Sequence, residues 1–194
     1  SAGTKKPNMR PIKKIVVIGP ESTGKSTLCA LLAQHYQAEW CSEFAREYLL
    51  TNGTDYNTND LLAIARGQLA LEDEISNEIQ SDATATPMLF IDTDMYVMKV
   101  WSEYVFGDCD TAILKEIALR HYDLYLLCDT DLPWNPDPLR EYPDLEERRR
   151  IFCYYLDYLS NQPTPWAMIS GREEDRLRSA ILAVDQFMLQ HRPL

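Results

Sequence analysis

Lys14-Ile15-Val16-Val17-Ile18-Gly19-Pro20-Glu21-Ser22-Thr23-Gly24-Lys25-Ser26-Thr27 decides the reading of this 194-residue chain. A short β-branched run that ends at a glycine reads as a buried parallel strand. Its continuation, Gly19 to Ser26, matches GxxxxGK[ST] in full, and Gly24 through Tyr36 reads as a helix. The glycines let successive backbone N–H groups turn inward at a helix N-terminus, where the dipole also favours anions. In that geometry Gly19, Glu21, Ser22, Thr23, Gly24, Lys25, Ser26 and Thr27 form a phosphate-binding loop. Lys25 reaches the β- and γ-phosphates and the Ser26 hydroxyl is a Mg²⁺ ligand. A strand before it and a helix after it make a chance glycine turn a poor alternative.

Working outward, Ala38–Cys41 is a weaker strand candidate, followed by a helix over about Ser42–Leu50 that Asn52-Gly53 would stop. From Asp60 to about Ser81 no proline occurs, and Leu61, Ile64, Leu71, Ile75 and Ile79 fall within an arc of about 80°. That spacing predicts a long amphipathic helix capped by Asp60. Pro87–Ile91 is a third strand, ending in Asp92-Thr93-Asp94, and helices over about Met95–Phe106 and Thr111–Arg120 follow. Tyr122–Cys128 is a fourth strand. Residues 129–143 hold four prolines and are expected to be irregular. Asp144–Ser160 reads as a helix, Trp166–Ile169 as a fifth strand and Glu173–Gln190 as a closing helix. Strands and helices alternate without a repeat, so the class is α/β with a parallel sheet of about five strands. Residues 14–194 are expected to be one domain behind a basic leader, 1–13, in which Ser1-Ala2-Gly3 reads as a cloning remnant.

The chain carries 19 Lys+Arg against 30 Asp+Glu, a net charge of −11. Five of the cations, Lys5, Lys6, Arg10, Lys13 and Lys14, lie in residues 1–14, so the remainder stands at −16. A body of that sign repels a polyanionic duplex, and nucleic acid is not expected as a partner. The longest uncharged stretch, Tyr158–Gly171, contains Ser160, Asn161, Gln162 and two prolines and falls short of the ~18 apolar residues of a membrane span. Ile15–Ile18 is too short for a signal-peptide core. Cysteines 29, 41, 109, 128 and 153 are odd in number and form no CxxC pair, which argues for reduced thiols in a cytoplasmic protein rather than disulfides or zinc. A homo-oligomer is admissible on these counts.

The loop motif alone does not say what is done with the nucleotide. No NKxD is present to read guanine and no DxxG follows the third strand, which counts against a GTPase switch. No LSGGQ is present, and the chain is short for an oligomeric AAA-type motor. A small-molecule kinase remains. Asp92 and Asp94 lie at the carboxyl end of a strand, where open α/β sheets bind ligands. A carboxylate there holds Mg²⁺ or accepts the proton of an attacking hydroxyl, while the alternative for one of the pair is to cap the helix that starts near Met95. Glu43 and Arg46 are either a surface ion pair worth ~0.2–0.5 kcal/mol or groups over the acceptor. In the second reading Glu43 grips hydroxyls or acts as base, and Arg46 steadies phosphate or substrate. Gln68, inside the apolar arc, lines a pocket or is a satisfied core amide.

The Pro-rich Leu132–Arg140 stands where kinases of this fold carry a lid, and phosphoryl transfer needs both cations and a cover against water. Arg140 is the first choice for the catalytic cation. Arg148, Arg149 and Arg150, beside Glu146 and Glu147, read first as a solvated helix face. Trp134 stacks on a ring or packs the lid.

Gly-Pro-Glu-Ser-Thr-Gly-Lys-Ser at 19–26, Glu-Phe-Ala-Arg-Glu-Tyr at 43–48, Phe-Ile-Asp-Thr-Asp at 90–94 and Pro-Trp-Asn-Pro-Asp-Pro-Leu-Arg at 133–140 together carry a resemblance. The chain resembles the nicotinamide riboside (ribosylnicotinamide) kinase domain of the NadR family of bacterial NAD-metabolism proteins. The resemblance implies a P-loop, nucleoside/nucleotide-kinase-like fold: a five-stranded parallel sheet with helices on both faces and a lid. It implies use of ATP and Mg²⁺ to phosphorylate the ribose 5′-hydroxyl of nicotinamide riboside, giving nicotinamide mononucleotide. By matching position, Lys25 and Ser26 take the phosphate and metal roles, Asp92 is the acid near the transfer and a metal ligand, and Asp137 and Arg140 make the lid contacts. Glu43, Arg46, Asp94, Trp134 and Asp137 are then the candidates for binding the nucleoside. Family members carry a tryptophan immediately before the Glu-aromatic-small-Arg motif; here that position is Ser42, with Trp40 two residues earlier. The alternatives are a kinase of another nucleoside or small metabolite, and an ATP-binding regulatory module without a dedicated acceptor.

Overall fold

The run Ile15–Ile18 is buried to 0% exposure because a strand flanks it on each side and helices cover both faces, which is why it reads as continuous apolar sequence. In the computed structural model, which describes residues 9–192, the order is β1 (Lys13–Ile18), α1 (Lys25–Tyr36), β2 (Glu39–Cys41), α2 (Phe44–Asn52), α3 (Thr58–Ser81), β3 (Met88–Asp92) and α4 (Met95–Phe106). There follow α5 (Thr111–Leu119), β4 (Leu124–Cys128), α6 (Leu145–Ser160), β5 (Trp166–Ile169) and α7 (Glu173–Gln190). The five strands are parallel in the order β2-β3-β1-β4-β5. Alternate residues of each strand serve opposite faces. Ile15, Val17, Phe90 and Leu126 pack with α1 and α7. Val16, Ile18, Leu89, Ile91 and Leu127 pack against α3, α4 and α6 through Ile79, Val100 and Ile151. A third apolar cluster joins α2, α3, α4 and α5. No described helix is long and apolar enough to cross a membrane, and all five cysteines are free.

Three sequence expectations need correction. Asp60 does not cap α3; the cap is Asn57, whose Oδ1 accepts from the Asp60 N–H at 3.1 Å while the Asp60 carboxylate accepts from the Asn57 N–H at 2.9 Å. This reciprocal box starts the helix three residues early. The fourth strand starts at Leu124: ahead of it Asp123 donates its N–H to the Lys14 carbonyl at 2.9 Å while its carboxylate accepts from the Lys14 N–H at 2.8 Å, closing the entry to the strand in a local exchange, and the Tyr122 hydroxyl donates to Glu72 at 2.8 Å. The end of the expected leader belongs to the fold. Arg10 donates to the carbonyls of Ile79, Asp82, Ala83 and Ala85, supplying a cation to the C-terminus of α3, and Ile12 packs on the core. Lys5 and Lys6 lie outside the described residues.

Apolar periodicity also hides a buried charge on α3. Glu72 is 2% exposed and receives Lys14 Nζ at 3.1 Å, Arg120 Nη1 at 2.8 Å and the Tyr122 hydroxyl at 2.8 Å. Arg120 also reaches the exposed Asp73 at 2.8 Å. Removing one partner of a buried pair strands the other and costs about 3–5 kcal/mol, whereas an exposed pair is worth about 1 kcal/mol or less. Urea unfolding should therefore show Glu72→Ala losing several-fold more stability than Asp73→Ala; equal losses would contradict the network described.

Candidate active site

The loop between β1 and α1 is shaped by what surrounds it. Gly19 has a φ of 152°, and a Cβ there would stand 2.8 Å from the Cys128 carbonyl oxygen at the end of β4, so only glycine fits between the strands. The Thr23 hydroxyl donates to the Pro20 carbonyl at 2.7 Å and closes the loop on itself, and Lys25 Nζ donates to the same carbonyl at 3.0 Å. From beneath, Arg176 of α7, 4% exposed, donates to the Thr23 carbonyl at 3.0 and 3.2 Å, to the Asp129 carbonyl at 2.7 Å and to Asp131 at 2.8 Å. Arg176 was invisible in the sequence: α7 reads as an ordinary amphipathic helix, and the loop it supports lies 153 residues away.

Pairing of β1 with β3 sets Val17 beside Asp92. Asp92 is 0% exposed, and its Oδ2 accepts from the Ser26 hydroxyl at 2.5 Å. Its Oδ1 is buried without a partner. Burial raises the pKa of this carboxyl, against the opposing pull of Lys25 and Ser26. An orphaned carboxylate oxygen beside a P-loop serine fits a hard divalent cation such as Mg²⁺, which takes one or two protein ligands and fills its shell with phosphate and water.

Asp94, expected to contact the substrate, does not face this site. It is the N-cap of α4, accepting from the Val97 N–H at 3.2 Å, and its second oxygen accepts from the Tyr125 hydroxyl at 2.8 Å. The capping alternative holds for this member of the pair.

A cavity of about 350 Å³ runs from the phosphate loop into an apolar chamber. On the loop side it is bordered by residues 19–27 and Asp92; on the far side stand Ser42 and Glu43 after β2, Arg46 on α2, and Val97, Val100, Trp101 and Tyr104 along α4, while Trp40 of β2 also lines it. Glu43 is the residue before α2 rather than part of its face. Its pKa is pushed up to about 7, first by burial and then by the negative charge of Asp92, with Lys25 opposing. Arg46 does not pair with Glu43. It donates to Asp137 of the lid at 2.9 Å. Gln68 is a satisfied amide, accepting from the Phe44 N–H at 2.9 Å and donating to the Ser42 carbonyl at 3.1 Å, so it holds the chain on which Glu43 sits. Trp101, on the cavity wall with its indole N–H on the Tyr56 hydroxyl at 2.9 Å, was missed in the sequence. The spacing Val97, Val100, Trp101, Tyr104 on one helix face was the available signal.

The lid follows β4 and is pinned to the phosphate loop. The Asn135 N–H donates to Ser22 Oγ at 2.8 Å, and the Glu141 N–H donates to the Glu21 carboxylate at 2.8 Å. Glu21, expected among the phosphate-binding groups, therefore spends its side chain on the lid; burial raises its pKa. Arg140 borders the cavity, its guanidinium donating to the Asn135 carbonyl. Trp134 and Asp137, expected to bind substrate, are not on the cavity wall. Asp137 is taken by Arg46, and Trp134 lies against Arg148, whose guanidinium carbon is 5.3 Å from the ring centroid. Arg148 corrects the reading of a solvated face: it is 3% exposed, with Nε and Nη1 buried and unpartnered.

These features define a P-loop fold of the kind found in nucleoside and nucleotide kinases. The chain belongs to the family whose model is described as AAA domain (AAA_28), which matches residues 14–176. The chain is 25% identical over 170 residues to the trifunctional NAD biosynthesis/regulator protein NadR of Salmonella typhimurium, a match covering 84% of this chain and 40% of the relative. It thus spans about 40% of that protein's length. A crystal structure of NadR protein in complex with NR superposes with a TM-score of 0.69 at 23% identity, covering 91% of this chain and 50% of that one. Thymidylate kinase from Ehrlichia chaffeensis shares the fold at a TM-score of 0.63 and 15% identity, covering 91% of this chain and 99% of that one. The resemblance to NadR noted from the sequence motifs is borne out.

The raised acids make stability depend on pH. Glu43 holds its proton to about pH 7 in the folded chain, against 4.5 ordinarily, and Asp94 to about 6, against 3.8. Between those limits the folded state binds more protons than the unfolded one, so stability falls as pH rises. Acids held below their ordinary values, such as Asp60 and Asp137, act below that window. Thermal unfolding of the ligand-free protein should give a lower Tm at pH 8 than at pH 5. Glu43→Gln should flatten the slope and exceed wild type at pH 8; parallel curves for the two proteins would contradict the assignment.

Proposed function

We propose that the chain is an ATP- and Mg²⁺-dependent kinase that phosphorylates the ribose 5′-hydroxyl of nicotinamide riboside, yielding nicotinamide mononucleotide in NAD metabolism. The observation that carries this is the two-sided cavity, in which the phosphate loop with Lys25, Ser26 and Asp92 meets an aromatic chamber guarded by Glu43. The loop amides and Lys25 receive the β- and γ-phosphates of ATP. Ser26 and Asp92 hold Mg²⁺, which when bound offsets phosphate charge. Trp101 and Tyr104, on the chamber wall, suit a flat heteroaromatic base.

Glu43, with a pKa near operating pH, accepts the proton of the ribose hydroxyl as its oxygen bonds to the γ-phosphorus and the bond to ADP breaks. Arg140 and the lid cover the reaction and keep water from competing with the alcohol. Arg46 and Asp137 hold the lid to α2. The free thiols accord with a cytoplasmic setting.

Coupled measurement of ADP release across a panel of nucleosides tests this reading. Nicotinamide riboside should stimulate turnover most; ATP binding with no stimulation by any acceptor would overturn it. Lys25→Ala should abolish transfer, and Asp92→Asn should lower kcat by at least ~10². Near-normal turnover of the Asn variant would remove Asp92 from the mechanism.

A further inference from the structure

Asp92, Thr93 and Asp94 carry the chain from β3 into α4, and both acids are pinned. Ser26 holds Asp92 on the loop side, while Asp94 is held by the first turn of α4 and by Tyr125. The one residue between them, Thr93, adopts a φ of 86°. That left-handed region is sterically poor for a β-branched side chain and free for glycine. The tight turn therefore accounts for the backbone and not for the threonine.

Thr93 is 2% exposed and borders the cavity, yet its Oγ1 is buried with no hydrogen-bond partner, as is Oδ1 of the adjoining Asp92. A buried hydroxyl left unpaired is costly. Backbone strain and an unmet hydroxyl thus coincide in one residue at the cavity wall, a combination that persists where a ligand completes the site. A group bound in the cavity that Thr93 borders would supply the partner the protein does not.

The position of Thr93 selects which ligand group it meets. On one side, Asp92 and Ser26 belong to the phosphate end; on the other, Val97, Val100 and Trp101 begin the chamber. A hydroxyl both donates and accepts, which suits an alcohol that must give up its proton while presenting a lone pair to phosphorus. A phosphate oxygen needs donors only, and the loop amides and Lys25 supply them.

We propose that Thr93 Oγ1 hydrogen-bonds the reacting alcohol of the acceptor and orients it for attack. The proposal rests on the kinase reading above and deepens it. Thr93→Val keeps the shape and the β-branch and deletes only the hydroxyl, Thr93→Ser keeps the hydroxyl, and Thr93→Gly deletes the hydroxyl while relieving the backbone.

With nicotinamide riboside as acceptor, Val and Gly should both lower kcat/KM by roughly 10- to 100-fold, a loss of the size one well-placed hydrogen bond supplies. Ser should stay within about 3-fold of wild type on the same scale. ATP affinity, read by calorimetry, should be unchanged in all three, and thermal unfolding should show Gly at least as stable as Val. The proposal is overturned if Val or Gly retains wild-type kcat/KM, or if ATP affinity falls in step with transfer. Wild-type turnover together with an unaffected Val variant sinks this inference alone; a wild type that no acceptor stimulates sinks it together with the kinase reading.

Discussion

The contact between the Ser26 hydroxyl and Asp92 Oδ2, at 2.5 Å, is where the geometry of this protein closes. It depends on β1 and β3 lying side by side in a register that sets Val17 opposite Asp92, although α1, β2, α2 and α3 intervene in the chain. Because strand side chains alternate, a slip of one residue would turn Asp92 to the other face of the sheet. The loop would lose its acid, and the turn that places Thr93 and caps α4 through Asp94 would lose its anchor. Both faces of β1 and β3 are packed, so the register that builds the core is the one that builds the site.

The same closure sets the electrostatics. Glu21, Glu43 and Asp92 share Lys25 as a nearby counter-charge, and in all three burial is the leading cause of the raised pKa. A surface cluster of acids would be screened by water; here partial enclosure lets the charges of Asp92 and Glu21 oppose the ionisation of Glu43. The consequence is a division of labour without a change of residue type. Asp92 is tied to Ser26 and carries a bare oxygen, whereas Glu43 sits near neutrality at the mouth of the acceptor chamber, with the poise of a group that takes up and releases a proton.

Most of the architecture was legible in the sequence, and the parts that were not share a cause. Strands such as Trp166–Ile169 and helices such as Met95–Phe106 were placed at their observed ends because apolar period and breakers are local signals. The phosphate loop was legible for the same reason. Asp94 was misassigned because two carboxylates one residue apart look alike in sequence, and only the turn at Thr93 sends one to the loop and the other to the α4 cap. Arg148 looked solvated because its neighbours Glu146, Glu147, Arg149 and Arg150 are charged, yet it shares the buried face of α6 with Ile151, Tyr155 and Leu159, and Trp134 of the Pro-rich segment lies against it. Arg176 and Glu72 act on partners far away in the chain, and no local pattern announces them.

The acidic body gives these short-range contacts added weight. Residues 15–194 carry a net charge of −16, so the summed field opposes a polyphosphate at long range. Within the cavity the balance turns on groups that act over a few ångströms: loop amides oriented by the Thr23–Pro20 bond, Lys25, and Arg140. Arg176 keeps those amides aimed from below without itself reaching the cavity. The lid adds to this local balance, since it is held to the phosphate loop through Ser22 and Glu21 and to α2 through Arg46. One tether meets the phosphate-loop side of the cavity and the other the α2 side. The cover is thereby anchored to both halves of the cavity, and a change at either tether alters how it lies over the other.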